Sequence, residues 1–156
     1  MRKFGLGAAA ALLCAAGGAS AQEAPMDWVL YVNEGRVSDA MLIFQQPETD
    51  HHIITLSCEE GGARIFAALD PVRPNLRVVG LKAGSEALVV GGKTHYAEEE
   101  DYHYFRSREI DGNSPLFQAF AASGELTLLI SGEETAMKAK AKSKAAIARF
   151  VAFCRG

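Results

Sequence analysis

Residues Ile53–Leu69 read IITLSCEEGGARIFAAL. Two apolar runs flank Glu59-Glu60-Gly61-Gly62, a cluster that favours a chain reversal. Ile53–Cys58 is rich in β-branched residues. In Ala63–Leu69 the pattern alternates: Ile65, Ala67 and Leu69 fall on one face, Arg64, Phe66 and Ala68 on the other. A period of two fits a half-buried strand and not a helix. The stretch therefore predicts two strands joined by a tight turn, and the segments on either side continue the pattern.

Upstream, Trp28–Asn33 (WVLYVN) and Ala40–Gln45 (AMLIFQ) flank Glu34-Gly35-Arg36 and predict an antiparallel hairpin. A polar loop, Gln46–His52, follows. Downstream, Asp70–Asn75 contains Pro71 and Pro74 and reads as a loop or edge crossing. Leu76–Leu81, Glu86–Val90 and Lys93–Ala97 read as short strands punctuated by Gly84 and Gly91-Gly92. In Tyr102–Ile110, Tyr102, Tyr104 and Arg106 share one side and His103, Phe105 and Ser107 the other.

The periodicity then changes. Ser114 before Pro115 is a helix start, Leu116, Phe117 and Phe120 recur at helical spacing, and Gly124 ends the turn. Leu126–Ile130 reads as a buried strand. Ser131-Gly132-Glu133-Glu134 has the form of a capping box and predicts a helix running to about Cys154. Met137, Ala141, Ala148, Val151 and Cys154 would form its inward stripe, with Ile147 and Phe150 beside it. Lys138, Lys140, Lys142 and Lys144 would flank its solvent face. The expected class is α+β: a mainly antiparallel, curved sheet or sandwich with one short helix and a C-terminal helix.

The chain has 156 residues, 49% hydrophobic and 22% charged, which suits one domain with a substantial core. Its start has the form of an export signal. Arg2 and Lys3 precede an apolar run, about Leu6 to Ala16, and Ala19-Ser20-Ala21 is a peptidase pattern. The apolar run is shorter than the ~20 residues that span a bilayer. Cys14 lies inside it, behind Leu13, so a lipoprotein anchor is not expected. The expected organisation is a signal at residues 1–21, a tail at 22–27 and one domain at 28–156, located in the periplasm. No later stretch approaches the ~18 apolar residues of a membrane span.

Removing residues 1–21 takes away Arg2 and Lys3 and no acid, moving the formal charge from −3 to −5. That acidic balance is a poor fit to nucleic acid, whose phosphates call for clustered Lys and Arg. Maturation also removes Cys14 and leaves Cys58 and Cys154 as an even pair, which an oxidising compartment would join.

Two groups of residues are candidates for chemistry. Glu98, Glu99, Glu100 and Asp101, followed by Tyr102 and Tyr104, combine charge with aromatic anchors, as an interaction surface does. His51, His52, His95 and His103 are candidate ligands for zinc or copper, although their spacing matches no compact metal motif. No GxSxG or CxxC pattern is present. A small hydrolase would require a deep polar pocket in which a histidine meets a carboxylate or hydroxyl from elsewhere in the chain. No cofactor is implied.

An exported chain with early Trp28, Leu56-Ser57-Cys58, the strand Leu126–Ile130 and the ending Ile147, Phe150, Val151, Cys154 resembles periplasmic accessory proteins of type VI secretion. It is more distantly similar to periplasmic lysozyme inhibitors, which pair β-structure with a disulfide. Both resemblances imply binding rather than catalysis, and neither transfers a binding residue. The expected function is a non-enzymatic periplasmic interaction protein with a protein partner in the cell envelope. The alternative is a metal-binding envelope protein.

Overall fold

The computed structural model of the chain describes residues 25–155. The expected export signal and residues 22–24 of the tail lie outside the described residues. Ten strands and two helices follow in order: β1 Asp27–Asn33, β2 Asp39–Gln45, β3 His52–Glu59, β4 Arg64–Leu69, β5 Val78–Ala83, β6 Glu86–Ala97, β7 Tyr102–Ser107, β8 Ile110–Asp111, α1 Pro115–Ser123, β9 Glu125–Ile130, β10 Glu133–Lys138 and α2 Lys144–Arg155.

All strands join one antiparallel sheet, ordered β1-β2-β3-β4-β7-β6-β5-β9-β10, with β8 beside β4. The sheet curls until its two edges approach, and Trp28 Nε1 donates to the Met137 carbonyl at 3.1 Å. The protein is therefore mostly β, a nearly closed barrel-like sheet with two helices, and not a balanced α+β fold or a sandwich.

Alternation explains the curl. Ala40, Leu42 and Phe44 of β2, Ile54, Leu56 and Cys58 of β3, and Ile65, Ala67 and Leu69 of β4 all point inward and are buried. The helices pack onto this concave side, α1 against β5, β6 and β9, and α2 against β1 to β4. They contribute Leu116, Phe117, Phe120, Ile147, Phe150 and Val151 to the same core. Ser114 and Gly124 bound α1 as expected, Gly124 at φ 73° and donating to the Phe120 carbonyl. Ser114 makes no side-chain capping bond. Cys154 at the end of α2 is bonded to Cys58 of β3.

The expected long terminal helix is replaced by a strand, a loop and a shorter helix. Ser131 and Gly132 both have positive φ, 53° and 88°, and form the turn between β9 and β10. Two positive φ values in succession match the preferred two-residue hairpin turn and exclude a helical first turn. Met137 is buried as expected, but from β10, where it pairs with Leu126. Ala141 and Ala148 are exposed.

Lys93–Ala97 and Glu86–Val90 are not separate strands. They form one strand, β6, running through Gly91-Gly92. Its first half pairs with β5 and its second half with β7. A side chain at Gly92 would start 2.3 Å from both the Arg106 carbonyl oxygen and Phe105 Cζ. Glycine is therefore what lets β6 pass over the buried Phe105 ring.

One irregularity sets the phase of β3. Phe44 faces Ile54 and Gln45 faces His52, so Ile53 is an extra residue between them. Such a bulge re-aims the adjoining side chain. By strict alternation His52 would point inward with Ile54; instead it sits opposite Gln45, on the convex side.

Candidate functional site

Antiparallel order divides the chain reversals between two ends. One end carries reversals 34–38, 60–63 and 84–85, and both helices are anchored there. Gly61 N–H donates to the Phe153 carbonyl at 2.9 Å and Ala63 N–H to the Cys154 carbonyl at 2.8 Å. The opposite end is made of reversals 46–51, 70–77, 98–101 and 131–132. The two expected contact regions, Gln46–His52 and Glu98–Phe105, thus belong to one end, with the 70–77 loop between them.

That loop is held from both sides. Val72 N–H donates to the His103 carbonyl at 2.7 Å, and Thr94 Oγ1 donates to the Leu76 carbonyl at 2.8 Å. The Asp70-Pro71 peptide bond is cis, and Asn75 has φ 66°. Between the loop and the β9–β10 hairpin lies an open cleft of about 490 Å³. Val72, Leu76, Leu128 and Ile130 supply its apolar wall, and Arg73, Arg77 and Glu133 its polar border.

A second open groove, of about 440 Å³, lies on the convex side of the same end, lined among others by His52, Asp70, Glu100, Tyr102, Tyr104 and Arg106. Its polar centre is Asp70. His52 Nε2 lies 2.7 Å from Asp70 Oδ1, and Tyr102 Oη donates to Asp70 Oδ2 at 3.3 Å. His52 Nδ1 lies 2.9 Å from the Asp50 carbonyl. Both ring nitrogens therefore face acceptors. A neutral imidazole donates to one of them, an imidazolium to both.

Partial burial pushes the Tyr102 phenol above its ordinary range, and the charge and hydrogen bond of Asp70 push it the same way, with Glu100 adding to them. The Tyr96 phenol is also raised, first by its hydrogen bond to Asp101 and then by desolvation.

The acidic segment Glu98 to Asp101 is the exposed turn between β6 and β7. Asp101 closes it with φ 55° and accepts the Tyr96 hydrogen bond. Tyr102 and Tyr104 are half-buried on the convex face beside Arg106. The interaction residues expected from sequence are therefore contiguous.

The histidines do not converge. His51 is exposed in its loop and His52 is engaged by Asp70. His95 stacks on Tyr104 with centroids 5.2 Å apart, whereas His103 packs against Tyr96 on the other face of the β6–β7 pair. Among the described residues no group of three or more His, Cys, Asp or Glu is placed to hold a metal ion. The lysines expected on one helix are dispersed. Lys138 in β10 pairs with Glu125 at 3.4 Å, Lys140 Nζ donates to the Pro25 carbonyl, and only Lys144 lies in α2.

Sequence reasoning missed Asp70 and the 70–77 loop as site elements. Their signal, two prolines between strands, identifies a loop but not its neighbours. Comparison of the chain with protein-family models, curated proteins and solved structures finds no match.

Proposed function

We propose that the protein is an exported, non-enzymatic binding protein of the bacterial periplasm, and that it engages a protein partner in the cell envelope with the end of the barrel remote from its helices. One observation carries this reading. The anchored helix ends gather at one end, while the polar and aromatic groups that could recognise a partner gather at the other: Asp70, His52, Tyr102, Tyr104 and the Glu98–Asp101 turn. Loops displayed by a rigid sheet are where recognition usually resides. The recess beside them is open, as suits a partner's side chains.

The acidic turn would set charge complementarity and the approach rate, and the tyrosines would supply buried contact area. The disulfide is compatible with the oxidising compartment this reading requires.

Site-specific photocrosslinking in intact cells tests the proposal. Probes replacing Glu99 or Tyr104 should give one discrete adduct, and probes replacing Gly35 or Ser85 at the helix-anchored end should not. Reversing Glu98, Glu99, Glu100 and Asp101 to lysine should remove the adduct. Equal labelling from both ends, or an adduct unaffected by charge reversal, would reject the proposed surface.

A further inference from the structure

We infer that the convex face over β5, β6 and β7, which adjoins the open end at Arg106, rests on a membrane surface rich in anionic phospholipid. Lys93 of β6 and Arg106 of β7 are register partners, so their side chains lie next to each other on one face of the sheet. Arg108 extends the row: its N–H donates to the Gly91 carbonyl at 2.7 Å, and its Cδ lies 4.0 Å from where a Gly91 side chain would begin. Three cations thus surround a glycine that leaves the space between them open. Like charges placed directly across a strand pair repel. Among the described residues none of the three makes an ion pair or a side-chain hydrogen bond, in a chain whose acids outnumber its Lys and Arg. Exposed and without an ion pair, the three cations are open to an anionic surface.

The neighbouring side chains identify its kind. Residues 89, 91 and 93 share a face by alternation, and Val78 is the register partner of Gly91. Val89 is 75% exposed and Val78 54% exposed. Large apolar side chains exposed beside unpaired cations match the two layers of a phospholipid surface, phosphate outside and the acyl boundary just beneath. A soluble oxyanion would satisfy the cations and leave both valines in water. No helix among the described residues is long and apolar enough to cross a membrane.

Co-sedimentation of the exported, oxidised protein with vesicles provides the test. The protein should partition onto vesicles of phosphatidylglycerol and phosphatidylethanolamine, leave them as salt is raised, and ignore phosphatidylcholine vesicles. Lys93→Glu with Arg108→Glu should lower partitioning by about thirtyfold or more, since each basic residue contributes severalfold at an anionic surface. Arg106 also borders the groove of the open end and is left in place, so partner crosslinking through Tyr104 should persist in this variant. Val78→Ser with Val89→Ser should weaken partitioning without changing its salt dependence.

An unaltered far-UV spectrum and the intact Cys58–Cys154 bond report folding. If the reversed variant fails that check, Lys93→Gln with Arg108→Gln supplies the same comparison. Equal partitioning onto phosphatidylcholine, undiminished partitioning of the charge variants, or calorimetric binding of inorganic phosphate without vesicle binding would overturn the inference.

Discussion

Trp28 and Met137, 109 residues apart in sequence, close the sheet: the indole donates to the Met137 carbonyl across the seam between the first strand and the last. The ring also packs at 5.2 Å on Phe44 and 5.0 Å on Phe120, so one side chain joins β1, β2, α1 and β10. Trp28→Phe keeps much of the apolar contact and removes the indole's bond to a carbonyl that the strand ladder also engages, at an expected cost of about 0.5–1.5 kcal/mol. Trp28→Ala should cost about 3–5 kcal/mol. Urea unfolding of the two variants reads both values.

Gly91 and Gly92 are adjacent and should respond differently to alanine. At Gly92 the added carbon meets the Arg106 carbonyl oxygen and the Phe105 ring at 2.3 Å, while at Gly91 the nearest atom is Arg108 Cδ at 4.0 Å. Gly92→Ala should destabilise by about 3 kcal/mol or prevent folding, in line with severe core overpacking. Gly91→Ala should change stability by less than about 1 kcal/mol. Melting temperatures measured side by side decide the matter, and equal shifts would contradict the crossing geometry.

The Asp27 carboxylate should generate a pH-dependent share of stability. Its burial disfavours charge, but bonds from Ser143 Oγ, the Lys140 N–H and the Trp28 N–H, with the Lys140 charge, outweigh burial and hold it below the usual carboxylate range. A carboxylate lowered in the folded state stabilises above its unfolded value of about 3.9, and that contribution disappears as pH falls through the folded value. Asp27→Asn should therefore lose about 1.5–3 kcal/mol at neutral pH, the range for charged hydrogen bonds. Its deficit against the native protein should shrink below about pH 4, as denaturation at stepped pH would show.

Tyr102 reports on the polar centre of the open end. Its phenol is raised partly because Asp70 lies beside it. Asp70→Asn removes that charge, so the phenol should ionise at lower pH than in the native protein, nearer an ordinary tyrosine. Phenolate absorbance, with Tyr102→Phe subtracted to isolate the signal, measures the change. An unmoved titration would mean that Asp70 and Tyr102 do not meet in solution.

Legibility followed the locality of each signal. The inward face of β4 could be read directly, because a period of two puts Ile65, Ala67 and Leu69 together, whereas Ala40–Phe44 is apolar throughout and its buried set emerges only from pairing. Pro115 and Gly124 located α1 for a similar reason: each acts through its own backbone. Ser131-Gly132-Glu133-Glu134 misled because the spacing of a capping box coincides here with a hairpin turn, and alanine- and lysine-rich sequence favours helix in isolation. Pairing of β10 with β9 overrides that local preference.

The candidate site divides the same way. Tyr102, Tyr104 and the acidic turn are consecutive and could be picked out together. Asp70 joins His52 across 18 residues only because β3 and β4 pair and β4 ends beside β7. That meeting is a property of topology, for which composition and periodicity carry no sign.

The extra residue at Ile53 acts as a phase setter for the mouth of the barrel. Deleting it would return His52 to the lining of the core and leave the Asp70 carboxylate with the Tyr102 phenol as its remaining neighbour of the pair. A change in chain length of one residue would thereby dismantle the polar clasp while retaining every one of its members. Insertion or deletion of a single residue at this position would rewrite the rim with its composition untouched.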